Sequence, residues 1–76
     1  MRNSFRREFE TERYVFNIWV DTLESAETIR VTVRLSREER HRRQEETITV
    51  EEMAEQIKNI EKWITLIKAR KLLTAA

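Results

Sequence analysis

The chain has no glycine and no proline anywhere in its 76 residues. Turns that need a positive φ must be built from residues that resist it, and helices cannot stop on the usual glycine. Two-residue hairpin turns favour Asn-Gly, Asp-Gly or glycine-first pairs. The segments linking strands are therefore expected to be longer: Asp21 to Glu27, and Ser36 to Glu45. With average usage of about 7% and 5%, lacking both residues has odds of roughly one in ten thousand in this length. Such a composition fits a de novo or otherwise artificial protein, or a small fast-evolving gene. Against hand-built design, idealised hairpins and helix ends normally carry glycine.

The same absence removes chemistry. A nucleophile elbow and a phosphate-cradling loop both need glycine for sharp turning or close backbone approach. Nucleophile and base would have to come from Ser4, Ser25, Ser36, His41 and Asp21, which form no recognisable constellation. Glu38 and Glu39 lie near His41 and could do acid–base work, but a solvated charged loop explains them as well. Glu8, Glu10 and Glu12 read as an exposed strand edge or face. With no cysteine and one histidine, neither disulfides nor a thiolate or imidazole metal site is expected. The reading is a non-enzyme with no catalytic, cofactor or metal residues and no small-molecule substrate.

One small domain spanning 1–76 is expected. Net charge is +1, which favours neither nucleic acid nor membrane. The basic start Met1 to Arg7 has no apolar run behind it, so no secretory signal is read, and no stretch is long enough to span a bilayer. That is compatible with a soluble, cytoplasmic protein. A core this small is marginal alone, so a homodimer or a single protein partner is the expected source of extra stability.

The clearest element is a C-terminal helix from Val50 to Leu73. Thr49-Val50-Glu51-Glu52 forms a capping box. Val50, Met53, Ile57, Ile60, Ile64 and Ile67 recur at spacings of three and four as one apolar stripe. They also fit a heptad, but over too short a run to prefer a coiled coil to core packing. Three strands are read ahead of the helix from period-2 alternation: Tyr14 to Val20, Ile29 to Leu35, and a short third at Ile48 to Val50. A helical lead-in over Phe5 to Arg13 would set Phe5 and Phe9 at i and i+4 on one side, but the favoured readings of residues 1–12 are poor order or an extension of the first strand. In the latter case Phe5 and Phe9 need a bulge to reach the face of Tyr14 and Phe16. Ser36-Arg37-Glu38-Glu39 also fits a capping box, so the second link is either a charged hairpin tip or a short polar helix with little to hold it.

The expected fold is α+β: a three-stranded antiparallel meander followed by one long C-terminal helix packed on one face. Its core is Tyr14, Phe16, Ile18, Val20, Ile29, Val31, Val33, Leu35, Ile48, Met53, Ile57, Ile60, Ile64 and Ile67. Each large side chain contributes roughly 1.5–3 kcal/mol when buried. A helix of some 24 residues runs about 36 Å, whereas an eight-residue strand covers about 27 Å, so the helix overhangs its sheet. Its second stripe, Trp63, Leu66 and Leu73, then forms a protein-binding surface unless Phe5 and Phe9 fold over it. The alternative is a single-stranded nucleic-acid site on the outer sheet face, with Trp19 among Arg13, Arg30 and Arg34. A third reading is a designed scaffold with no function beyond folding.

Overall fold

The computed structural model describes residues 2–75, with side chains described for residues 4–69. Three strands, β1 (Arg2–Glu10), β2 (Tyr14–Leu23) and β3 (Ala26–Leu35), are followed by a short helix α1 (Arg37–Arg43) and a long helix α2 (Val50–Ala75). The strands form one antiparallel sheet in the order β1-β2-β3. The α+β meander with a long C-terminal helix is therefore the fold, but its strands are not the three read from the sequence.

The lead-in is a strand of its own rather than an extension of the next. Its pairing sets Phe9 opposite Phe16 and Phe5 opposite Val20. Directly opposed residues of an antiparallel pair point to the same side, so both phenylalanines reach the core face without a bulge. Thr11 makes the reversal possible in place of glycine. Its N–H donates to the Tyr14 carbonyl at 2.9 Å, and its Oγ1 accepts from the Tyr14 N–H at 3.1 Å.

The second hairpin is tighter than expected. Pairing continues to Leu23 opposite Ala26, leaving only Glu24 and Ser25 as the turn, and Glu24 takes φ 58°. A left-handed non-glycine residue costs roughly 1–2 kcal/mol, which ten paired positions can carry. Ile48 and Val50 form no strand: Val50 is already the first residue of α2, and the β3 edge is left unpaired. Ile48 instead packs on the core from the loop before α2. Thr49 caps α2, accepting the Glu52 N–H at 3.1 Å while the Glu52 carboxylate accepts the Thr49 N–H at 3.2 Å.

Tyr14, Phe16, Ile18, Val20, Leu35 and Ile67 are buried as expected. The helix, however, is turned by roughly a sixth of a turn, at ~100° per residue, from the face its apolar stripe defines. Gln56, Ile60, Trp63 and Ile67 look at the sheet, whereas Ile57, placed in the core by periodicity, is 50% exposed and Val50 82%. Two anchors set this rotation. The Tyr14 hydroxyl donates to the Glu52 carboxylate at one end of α2. Further along, the Trp63 ring stacks on Phe9 at 4.8 Å and meets Phe16 edge-on at 4.6 Å.

Candidate interaction surfaces

The expected helix surface is divided by this geometry. Trp63 is half-buried between β1 and β2, so Phe9 does cover it. Leu66 is 53% exposed on the β1 side of α2. The Leu73 side chain lies outside the described residues.

The outer sheet face brings together only part of the expected nucleic-acid set. Arg30 lies over the Trp19 ring at 5.2 Å, but Arg13 lies over Tyr14 at 5.5 Å. Arg34 reaches across β2 to Glu8 at 3.9 Å, and Arg6 Nη1 donates to Asn17 Oδ1 at 2.6 Å. These side chains roof Val15 and Asn17, both buried on what alternation marks as the outer face. The arginines are engaged with the sheet, and two of their partners are a carboxylate and an amide rather than an open face.

The segment from Ser36 to Gln44 resolves as the polar helix, held by ions instead of an apolar face. Ser36 caps α1 by accepting the Glu39 N–H at 3.2 Å, and it ties the cap to the first hairpin by donating to the Glu12 carbonyl at 3.0 Å. Glu39 is only 4% exposed and accepts from Arg42 and Arg43. Arg43 also forks onto Glu52, with Nη1 and Nη2 at 2.9 and 2.6 Å from the two carboxylate oxygens. Bidentate guanidinium–carboxylate pairs of this kind are strong and directional.

Titration follows from those contacts. Arg43 and then Tyr14 hold the Glu52 carboxyl well below the ordinary range, and Arg42 and Arg43 lower Glu39. Glu52 and Glu39 in turn raise Arg43, and burial raises the Tyr14 phenol. Glu39 is thus held as a charged group by its two arginines. His41 lines an open cleft with Glu38, Arg40 and Glu46.

A surface that alternation alone could not place runs along the other side of α2. Lys68 Nζ lies 3.7 Å from Glu27 at the start of β3, so that flank of the helix is the β3 side. Ile57 sits eleven residues earlier, just over three whole turns, and therefore on the same flank. Val50, Met53, Ile57 and Ile64 line it by helical spacing, and Ile64 packs into the same cluster as the half-buried Ile29 and Val31 of β3. One helix about 10–12 Å wide cannot cover three strands spaced ~4.8 Å apart. On β1 the uncovered margin is interrupted by Arg7, which stands between Phe5 and Phe9 on the core face. On β3 it is apolar from Ile29 to Leu35.

The β3 margin ends in an open strand edge. Ser36 N–H donates to the Arg13 carbonyl at 2.8 Å, which extends the β2–β3 ladder by one pair. Hydrogen-bonded pairs alternate, so Thr28, Arg30, Thr32 and Arg34 bond β2. The backbone groups of Ile29, Val31 and Val33 point outward.

Among the described residues, no three histidine, aspartate or glutamate side chains gather as a metal site, and no helix is long and apolar enough to cross a membrane. Compared with protein-family models, curated proteins and solved structures, the chain matches none.

Proposed function

We propose that the chain is a non-catalytic protein-binding and assembly module that takes an extended segment of its partner along the strip between β3 and α2. The observation that carries this reading is the coincidence of two unfilled features. An apolar margin, made by the partly exposed Ile29, Val31 and Val33 of β3 and the half-exposed Ile57 on the same flank of α2, adjoins outward backbone groups on that strand. Strand addition uses this combination: main-chain hydrogen bonds give affinity and alternate side chains give specificity. Exposed apolar patches rimmed by polar residues mark contact surfaces, and the Lys68–Glu27 pair closes one end of this one.

Single-stranded nucleic acid has less to hold. A base stacking on Trp19 must displace Arg30, and Arg34 and Arg6 must leave Glu8 and Asn17 to meet phosphate.

Selecting a displayed random-peptide library on the immobilised protein tests the reading. Enriched peptides should carry apolar residues at alternate positions, and Ile57→Lys should weaken them at least about tenfold, roughly 1.4 kcal/mol. Binders indifferent to Ile57→Lys would overturn it. So would an oligonucleotide that binds more tightly than any peptide with a steep salt dependence.

A further inference from the structure

We infer that the segment taken along this strip is β3 of a second copy, giving a two-fold dimer with a continuous six-stranded sheet and both helices on one face. The inference rests on the reading above and names its partner. β3 is itself an extended segment with apolar residues at alternate positions, Ile29, Val31, Val33 and Leu35. A strand that displays the required pattern on the required edge can satisfy its own copy. A closed two-fold contact then consumes both edges at once.

Side-chain chemistry selects one register. An axis perpendicular to the sheet pairs β3 with itself in antiparallel fashion and keeps each face together. Centred on Val31, it sets Val31 against the second copy's Val31, and Ile29 against Val33, on the helix face. On the outer face Arg30 meets Thr32 and Thr28 meets Arg34. Moving the centre to Arg30 opposes two copies of Arg30, and moving it to Thr32 opposes Arg30 and Arg34. Like charges directly opposite are unfavourable, so the Val31 centre stands alone among the three. Slipping by an odd number of positions swaps the faces and exposes the core row.

The outer arginines do not obstruct this edge. Arg30 leans over Trp19, and Arg34 reaches across β2 to Glu8, so both are drawn back over their own sheet. The other edge is different. Arg7 places a charge within the core-facing row of β1, and inward-pointing charges on an edge strand oppose further pairing. One open edge and one guarded edge give a closed dimer rather than a fibre.

The helices also fit. Three strand intervals set them about 14 Å apart, against a diameter of about 10–12 Å with side chains. The two flanks carrying Met53, Ile57 and Ile64 then face each other over the Val31 pair, with at most about one water layer between them.

The test uses the absence of cysteine from the chain. In the hydrogen-bonded pair at the axis the Cα atoms lie about 5.5 Å apart, inside the roughly 4.4–6.8 Å range for a disulfide. Val31→Cys should therefore cross-link with itself under mild oxidation, at least tenfold more than Val33→Cys, whose two copies lie four positions out of register. Light scattering of the unmodified chain across a dilution series should give twice the monomer mass, falling to monomer on dilution. A monomer at every concentration overturns the inference. A dimer in which Val31→Cys cross-links no better than Val33→Cys overturns it too, by placing the contact elsewhere. If either failure is accompanied by peptides that depend on Ile57, the strip binds a different protein and the wider reading survives. If no such peptides are found, both fall.

Discussion

Trp63→Ala removes the side chain that clamps α2 to two strands at once. The indole stacks on Phe9 with 6° between the ring planes and meets Phe16 at 65°. Truncating a buried tryptophan costs about 3–5 kcal/mol, and aromatic pairs add about 0.5–1.5 kcal/mol beyond their area. Because Trp63 is only half-buried, the lower end applies, about 3 kcal/mol. A chain of this size has a stability of roughly 4–11 kcal/mol, so the loss is a large share of the whole. At about 4–8 °C per kcal/mol it lowers Tm by roughly 12–24 °C. Leu66→Ala on the exposed β1 side of α2 serves as the control and should stay within about 0.5 kcal/mol. Urea denaturation followed by circular dichroism reads both variants. If Trp63→Ala costs no more than Leu66→Ala, the clamp does not hold the helix, and the rotation of α2 needs another cause.

Glu52→Gln tests the ion network through pH. Arg43 and Tyr14 depress the Glu52 pKa below its ordinary 4.5, so its stabilising contribution is complete above that value and is lost as pH falls through the folded pKa. The variant should therefore be less stable at neutral pH and lose less on acidification, as read by urea midpoints at neutral and acidic pH; parallel curves for the two proteins would refute the assignment. Gln44→Gly addresses the left-handed cap of α1, at φ 57° and ψ 35°. Relief of about 1–2 kcal/mol of strain, less about 0.5–1 kcal/mol of glycine entropy, should raise stability by about 0.5–1 kcal/mol, and a loss would mean that Gln44 makes a contact worth more than its strain. Arg7→Val removes the charge from the β1 edge and should turn a bounded assembly into one that grows with concentration, as seen by sedimentation; an unchanged mass distribution would show that Arg7 does not guard that edge.

Elements marked by local chemistry were legible from the sequence. The long helix announces itself by its threonine cap and isoleucine spacing, and β2 and β3 by alternation. The Ser36 box gave the short helix as one of two options. What decided between them was not local: Arg43 finds Glu52 nine residues away and on another element. The lead-in strand was misplaced for a related reason. Phe5 and Phe9 have the wrong parity for a continuous strand and the right parity for a hairpin, and a turn made by the Thr11 hydroxyl leaves no glycine to announce it. The helix face was misread because periodicity records where apolar residues are, not which of them the sheet selects. Trp63 faces the core because Phe9 and Phe16 offer rings at its height, and the Tyr14 hydroxyl draws in Glu52, one turn before the buried Gln56. Val15 and Asn17 are buried by long polar side chains leaning over them, which alternation counts as solvent.

The missing glycine was expected to lengthen the turns, and the second hairpin shows why that inference fails. A two-residue turn with Glu24 at positive φ is unfavourable by roughly 1–2 kcal/mol. Lengthening the link by one residue on one strand would shift the register by one, and a one-residue slip sends a whole core row to the solvent face. Tyr14, Phe16, Ile18 and Val20 together are worth several times the cost of the turn, at roughly 1.5–3 kcal/mol each. Turn chemistry therefore yields to register wherever a strand buries a complete row. The same balance explains the first hairpin, where a threonine side chain supplies the turn and the pairing of Phe9 with Phe16 is kept. It also locates the weak points of this fold. They are Glu24 and Gln44, where backbone strain is held in place by pairing on one side and by the α1 ion network on the other.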